Sequence, residues 1–91
     1  MTAREVVVGH KLGLHARVSA RLVQLSQRFE SRILISRTDH LSDTEADARS
    51  ILSILLLAAA CGTRVRVSAE GHDEEEAVEA VSRYLEGEWL P

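Results

Sequence analysis

The 91 residues of this chain suffice for one small domain and are too few for two independent hydrophobic cores. Hydrophobic residues make up 45% of the chain but aromatic residues only 3%, so Val, Ile, Leu and Ala must build the core. The net charge of -3 argues against nucleic acid as a partner, because nucleic-acid binding usually requires a concentrated basic face and, for RNA, aromatic stacking platforms.

The cysteine count and the apolar runs bear on where the protein acts. Cys61 is the single cysteine, so no internal disulfide can form and no oxidising compartment is required. The longest apolar stretch, residues 51–61, is interrupted by Ser53. It is far shorter than the roughly 20 residues of a membrane-spanning helix. The first residues lack the apolar core of a signal peptide. We therefore expect a cytoplasmic protein without membrane insertion.

Turn signals divide the chain into seven elements, of which the first two are a strand and a helix. Residues 4–10 (REVVVGH) are rich in β-branched side chains, which predicts a strand ending at Gly9. From Ala16 the apolar positions take the period of a helix, because four of them fall on one face: Val18, Leu22, Leu25 and Phe29.

Three further strands are predicted. Residues 31–38 (SRILISRT) favour a strand, residues 38–40 a tight turn, and residues 41–46 a short polar strand at the edge of the sheet. Residues 63–71 (TRVRVSAEG) alternate between apolar and polar side chains, which is typical of a strand with one buried face. The buried face is expected to consist of Val65, Val67 and Ala69.

The second helix is apolar nearly all round. It is expected to begin near Ala48, with Asp47 as its cap, and to end at Gly62. Such a helix is either deeply buried or presents an exposed apolar face. Cys61, beside Gly62, is expected to be a small buried residue.

An amphipathic helix is predicted for the C-terminal residues 72–91, ending at Gly87. Asp73 and Glu76 have the spacing of a capping box with aspartate in place of serine or threonine. The predicted core positions are Val78, Val81 and Leu85, and two aromatic residues are expected to pack the C-terminus onto the fold, Tyr84 and Trp89.

The element order β-α-β-β-α-β-α defines the expected architecture. Because the strands alternate between buried and exposed side chains, one face of the sheet should be covered and the other open. We therefore expect a single α+β domain over residues 1–91. It is an open-faced β-sandwich in which three helices cover one face of a four-stranded antiparallel sheet.

His15 stands directly before the first predicted helix. The first-turn N–H groups of Ala16, Arg17 and Val18 lack intrahelical acceptors, and together with the helix dipole they form an anion site. The guanidinium of Arg17 suits phosphate oxygens, and neutral imidazole is a nucleophile near neutral pH. The pattern fits a histidine that holds a phosphoryl group, although a histidine in this position is more often a cap or a surface residue.

Three segments of the chain carry a resemblance to a known family. Residues 11–17 (KLGLHAR) resemble the active-site signature of HPr, the histidine-containing phosphocarrier family of the bacterial phosphoenolpyruvate-dependent phosphotransferase system. Residues 45–63 resemble the second-helix segment of that family, and residues 65–81 resemble its last strand and helix. The resemblance covers nearly the whole chain and implies the same open-faced fold.

The resemblance assigns roles to the residues around His15. His15 aligns with the histidine that enzyme I phosphorylates on Nδ1 and that passes the phosphoryl group to IIA proteins or domains. Arg17 aligns with the arginine beside that group. The implied protein is a carrier and not an enzyme, and it needs no cofactor. The spacing of the four histidines also gives no zinc signature.

The resemblance also marks the second helix. Ser50 aligns with a serine that a dedicated kinase phosphorylates in some bacteria, although it can equally be an ordinary helix residue. The apolar patch that docks partners aligns with Ile51, Leu52 and Leu55. We expect the protein to be a monomer.

Two positions depart from the family pattern. Val18 stands where the family typically has proline, which frees φ and adds an N–H group. His10 stands where asparagine is common, so a hydrogen bond from that position to His15 is in doubt.

Two alternatives to a sugar-branch phosphocarrier remain open. The first is a regulatory relative of the nitrogen branch, favoured slightly by the acidic residues 43–48 and the apolar residues 54–60. The second is a binding module in which Val18 and His10 mark an inactive site and only the helix surface matters.

Overall fold

The computed structural model describes residues 1–39 and 45–88. Its elements follow the predicted order: β1 (Thr2–Val7), α1 (Ala16–Ser26), β2 (Arg32–Arg37), β3 (Ala46–Asp47), α2 (Ile51–Leu56), β4 (Arg64–Glu70) and α3 (Glu74–Leu85). Residues 40–44, which include most of the predicted third strand, and Trp89 lie outside the described residues.

The four strands form one sheet in the order β1-β4-β2-β3, and every neighbouring pair is antiparallel. Val65 of β4 pairs with Val6 of β1 on one side and with Arg37 of β2 on the other. The prediction of an antiparallel sheet with its third strand at an edge is therefore confirmed. This order places the two edge strands, β1 and β3, far apart.

The helices cover one face of the sheet, as predicted. In β4 the side chains of Val65, Val67 and Ala69 are buried, while Arg64, Arg66 and Glu70 are exposed. The predicted core positions of α1 and α3 are buried as well: Val18, Leu22, Leu25, Val78, Val81 and Leu85. Each buried Val or Leu stabilises the fold by roughly 1.5–3 kcal/mol. Phe29 lies beyond the end of α1 and is only half-buried.

The second helix is shorter than its sequence predicts. Asp47 pairs with Leu34 of β2 and therefore belongs to a strand, so α2 begins at Ile51 with Ser50 as its N-cap. The Oγ of Ser50 accepts a hydrogen bond from the N–H of Ser53 at 3.3 Å. The helix ends at Leu56 and not at Gly62.

The chain leaves α2 through a residue with positive φ. Ala58 has φ 50°, and Arg37 donates from Nη1 to the carbonyl oxygens of Leu57 at 2.9 Å and Ala58 at 3.1 Å. These bonds satisfy carbonyl groups that have no intrahelical partner. Cys61 follows in the next turn and is exposed, so the prediction that it is buried is wrong.

The predicted capping box of α3 is also wrong. Asp73 is the N-cap residue, but its side chain makes no capping hydrogen bond. Its carboxylate instead accepts hydrogen bonds from the N–H groups of Glu30, at 2.9 Å, and Ser31, at 3.0 Å, and from the hydroxyl of Ser31. The Ser31 hydroxyl and then the Glu30 N–H lower the pKa of Asp73 to about 2. A long-range contact has taken the place of the local cap.

Candidate functional site

The segment between β1 and α1, residues 8–15, carries His15 and is called the His15 loop below. The N–H of Gly9 donates to the carbonyl oxygen of Leu85 at 2.9 Å, and the N–H of Leu14 donates to that of Ala59 at 2.9 Å. The loop is thus fixed at one end to the last turn of α3 and at the other to the segment after α2.

Gly13 allows the loop to pass close to that segment. Its φ is 73°, a conformation that favours glycine, and a Cβ there would lie 2.5 Å from the carbonyl oxygen of Ala59. Its N–H closes a turn by donating to the carbonyl oxygen of His10 at 2.8 Å. A side chain at this position would therefore displace the backbone that presents His15.

His15 is the N-cap residue of α1, with extended backbone angles of φ -75° and ψ 179°. Its ring Nδ1 accepts a hydrogen bond from the N–H of Arg17 at 3.3 Å, and its carbonyl oxygen accepts from the N–H of Ser19 at 2.8 Å. Because Nδ1 is the acceptor, Nε2 carries the hydrogen of the neutral ring. The cap interpretation is therefore correct, and the same geometry leaves Nδ1 unprotonated at the positive end of a helix.

The first turn of α1 combines accessible and buried residues. Ala16 and Arg17 are exposed, while the side chain of Val18 is 1% exposed and packs in the core. Since α1 begins at Ala16, the three first-turn N–H groups have no carbonyl four residues earlier within the helix. The arrangement brings together the predicted nucleophile and the predicted anion-binding groups.

Two open clefts flank His15. The first, of about 290 Å³, is lined by Gly9, His10, Lys11, Leu12, Val18 and Gly87 together with His15. The second, of about 330 Å³, lies between His15 and the α2 region and is lined by Leu12, Leu14, Leu55 and Ala58–Ala60. Leu12 borders both clefts and is 78% exposed.

The exposed face of α2 is apolar. The predicted docking residues are all accessible, since Ile51 is 41%, Leu52 64% and Leu55 37% exposed. Leu56, at 69%, extends the patch. In contrast, Ile54 of α2 and Leu57, its C-cap residue, are buried. The sequence of α2 is apolar nearly all round because one side of the helix packs in the core and the other is an exposed apolar face. Leu56 lies four residues after Leu52, a spacing from which it could have been predicted.

The side chain of His10 makes a hydrogen bond to the backbone of α3. Its side chain is 5% exposed, and its Nε2 lies 2.6 Å from the carbonyl oxygen of Tyr84. A carbonyl oxygen only accepts, so Nε2 is the donor. Sequence reasoning assigned Tyr84 only to general packing, and no local signal relates it to residues so distant in the chain.

Within residues 1–39 and 45–88, no group of three or more His, Cys, Asp or Glu side chains is placed to hold a metal ion. In the same part of the chain, no helix is long and apolar enough to cross a membrane.

Comparison with known proteins assigns the family. Residues 2–87 match the family described as "PTS HPr component phosphorylation site". The chain is 42% identical over 86 residues to phosphocarrier protein HPr of Xylella fastidiosa, covering 94% of this chain and 92% of that protein. It is also 42% identical over 82 residues to phosphocarrier protein NPr of Escherichia coli, covering 89% and 88%.

A solved structure agrees with the sequence matches. The HPr structure from Thermoanaerobacter tengcongensis superposes with a TM-score of 0.85 at 36% identity, covering 99% of this chain and 100% of that one. A small open-faced sandwich with a histidine at the N-terminus of its first helix has the architecture of a phosphocarrier. The chain belongs to the HPr family of the phosphotransferase system, whose members carry phosphoryl groups and are not enzymes.

Proposed function

We propose that His15 accepts a phosphoryl group from phosphorylated enzyme I and passes it to IIA proteins or domains in the sugar-uptake branch of the phosphotransferase system. The observation that carries this proposal is the orientation of the imidazole. The N–H of Arg17 holds Nδ1 as an acceptor at the first turn of α1. We also propose that the carrier is a monomer in the cytoplasm, the compartment consistent with a single cysteine.

The transfer is a displacement at phosphorus. The lone pair of His15 Nδ1 forms the new N–P bond while the bond from phosphorus to the donor atom breaks, and its electron pair stays with the donor. The hydrogen on Nε2 remains on the His15 ring. In the phosphorylated protein the N–H groups of Ala16, Arg17 and Val18 face the phosphoryl oxygens, with the helix dipole and the Arg17 guanidinium adding positive charge.

The accessibility of His15 favours rapid transfer of the phosphoryl group to a partner over its long-term retention. His15 is only half-buried and borders two open clefts, so an incoming partner reaches its ring without a lid having to move. The exposed apolar face of α2 shares the second cleft through Leu55. A partner that covers Ile51, Leu52 and Leu55 thereby brings its own reactive group to His15, which is the proposed role of the docking patch.

Charges around the patch indicate the partner's chemistry. Arg17 and Arg21 lie at i and i+4 on one face of α1, and Arg28 follows in the turn after the helix. All three are exposed. Arg49, also exposed, precedes α2. Although the chain is negative overall, this surface is basic. We propose that enzyme I and the IIA acceptors meet it with an apolar centre and an acidic rim.

A nitrogen-branch role is the second candidate, because the similarity to NPr of Escherichia coli equals that to HPr of Xylella fastidiosa at 42% identity. Purified acceptors of the two branches, offered in competition to the phosphorylated protein, separate the two roles. Faster transfer to the sugar-branch IIA acceptor supports the first proposal, and preference for the nitrogen-branch acceptor replaces it with the second.

Phosphorylation itself is tested with phosphoenolpyruvate and enzyme I. We expect an acid-labile, base-stable phosphoramidate that is lost in His15→Ala and retained in the controls His10→Ala and His72→Ala. Phosphate that persists in His15→Ala would show that another residue is the acceptor. If none of the proteins is phosphorylated, the chain is a binding module.

Ser50 is the proposed site of regulation by a serine kinase. It caps α2 directly before the docking patch and is half-buried. A phosphate there adds about two negative charges at the edge of a basic, apolar surface. We propose that acidic partners are repelled as a result, while the cap of α2 is retained.

A further inference from the structure

Tyr84 of α3 makes hydrogen bonds to one residue that precedes His15 in the sequence and to one that follows it. Its carbonyl oxygen accepts from Nε2 of His10 at 2.6 Å, and its hydroxyl donates to the carbonyl oxygen of Val18 at 2.9 Å. His10 lies near the start of the His15 loop, and Val18 lies in the first turn of α1. The reactive ring is therefore presented by a segment that Tyr84 holds at two points.

Both bonds lie in the protein interior. Tyr84 is 2% exposed, His10 is 5% exposed, and their ring centroids are 4.9 Å apart with the planes tilted by 50°. Water has little access to these groups, so a partner left without its bond is costly. The contact is thus a firm restraint on the loop and on the first turn of α1.

The hydroxyl of Tyr84 keeps its proton at neutral pH. Burial raises the pKa of Tyr84 to about 12, while the charges of Arg21 and Arg17 lower it by less. The tyrosine is consequently a constant hydrogen-bond donor to Val18.

The restraint acts at the position where the family typically has proline. Val18 does not lock φ as a proline would, so the first turn of α1 depends on other contacts for its geometry. The Tyr84 hydroxyl fixes the Val18 carbonyl in this same turn. The N–H of Arg17, one residue earlier, is the group that bonds to Nδ1 of His15.

We propose that Tyr84 is a positioning residue for phosphoryl transfer, acting through Val18 and His10 on the orientation of the His15 ring. It does not touch the phosphoryl group. The inference rests on the proposed function of His15 as the phosphoryl acceptor. A ring that samples wrong orientations reacts more slowly, but the donor still docks on the surface of α1 and α2.

Tyr84→Phe tests this role, because it removes one oxygen and keeps the buried ring. With enzyme I and phosphoenolpyruvate, we expect kcat for phosphorylation of His15 to fall roughly three- to tenfold, the factor to which loss of one hydrogen bond corresponds. KM should stay unchanged. Val78→Ala is the control, since it destabilises α3 about two turns away from the loop and should leave kcat intact.

A second measurement does not depend on phosphorylation. In Tyr84→Phe the amide hydrogens of Arg17 and Ser19, which both bond to His15, should exchange faster than in the wild type. In Val78→Ala their exchange relative to that of α3 should not change. At the other contact, His10→Asn retains a side-chain donor for the Tyr84 carbonyl. Both His10 variants should still form the phosphoramidate, but His10→Asn should transfer faster than His10→Ala.

The outcomes distinguish the two proposals. If wild-type protein is not phosphorylated, the proposed function fails and the inference fails with it. If wild-type protein is phosphorylated and Tyr84→Phe matches its kcat, only the role of Tyr84 is overturned. A change confined to KM would also overturn it, because it would place Tyr84 in docking.

Discussion

The main-chain N–H of Arg17 lies 3.3 Å from Nδ1 of His15 and donates a hydrogen bond to it. The bond makes His15 the cap of α1 and at the same time presents its unprotonated ring nitrogen at the positive end of the helix dipole. In the proposed transfer to Nδ1 this bond is replaced, after which the same N–H faces a phosphoryl oxygen. The capping role of His15 and its proposed chemical role thus depend on the same geometry.

Val18→Pro tests how the first turn is held. Proline has no N–H, but no helical hydrogen bond is lost, because the N–H of Val18 has no acceptor within the helix. The fixed φ of proline also lowers the entropy of the unfolded chain. We expect the free energy of unfolding to rise by up to about 1 kcal/mol, and phosphotransfer to be equal or faster. Chemical denaturation and transfer assays on one preparation measure both. A destabilised variant would mean that the His15 loop differs from the family's and would remove the support for the role of Arg17.

Leu52→Glu tests the docking patch. The side chain is 64% exposed, so the change should leave the free energy of unfolding nearly unaltered. It should weaken binding of enzyme I by about 1–3 kcal/mol if Leu52 is a central contact. Calorimetric titration measures the affinity. The control is Val7→Glu, an exposed apolar position of β1 outside the patch, which should bind normally. An equal loss of folding stability and affinity would assign Leu52 to the core.

Ser50→Asp tests regulation, and Ser50→Asn provides a neutral control of nearly the same shape. Serine, aspartate and asparagine are all good N-caps, so both variants should keep the free energy of unfolding within about 0.5 kcal/mol of wild type. Only the aspartate adds negative charge beside the patch. We expect slower phosphorylation of His15 in Ser50→Asp alone. Equal rates in the two variants would leave Ser50 as a structural cap.

Asp73 predicts a specific dependence of stability on acid. Hydrogen bonds from Ser31 and Glu30 lower its pKa to about 2 in the folded protein, below the roughly 3.9 of an unfolded chain. Its contribution to stability is therefore complete above about pH 4 and is lost as the pH falls towards 2. Urea midpoints measured from pH 5 to pH 2 should fall less steeply for Asp73→Asn than for wild type. Parallel slopes would contradict the assignment.

The sequence by itself determined the order of the elements and placed the proposed reactive residue, His15, directly before a helix. Alternation in residues 63–71 and helical periodicity after Ala16 are local signals, so they correctly predicted β4 and the buried face of α1. The position of His15 directly before α1 is equally local. The proposed anion-binding turn could be derived because the first N–H groups of a helix in any fold lack intrahelical acceptors.

Where a local signal competes with a distant partner, only the tertiary structure decided which contact forms. Asp47 joins β2 as a strand residue and does not cap α2, and Asp73 binds Ser31, 42 residues away, and does not cap α3. The Tyr84 hydroxyl reaches Val18 across 66 residues. Capping and periodicity depend on neighbours within one or two turns, whereas these bonds form only after the sheet has brought remote segments together. Asp73, for which a local cap was available, instead bonds to residues that the folded chain brings beside it.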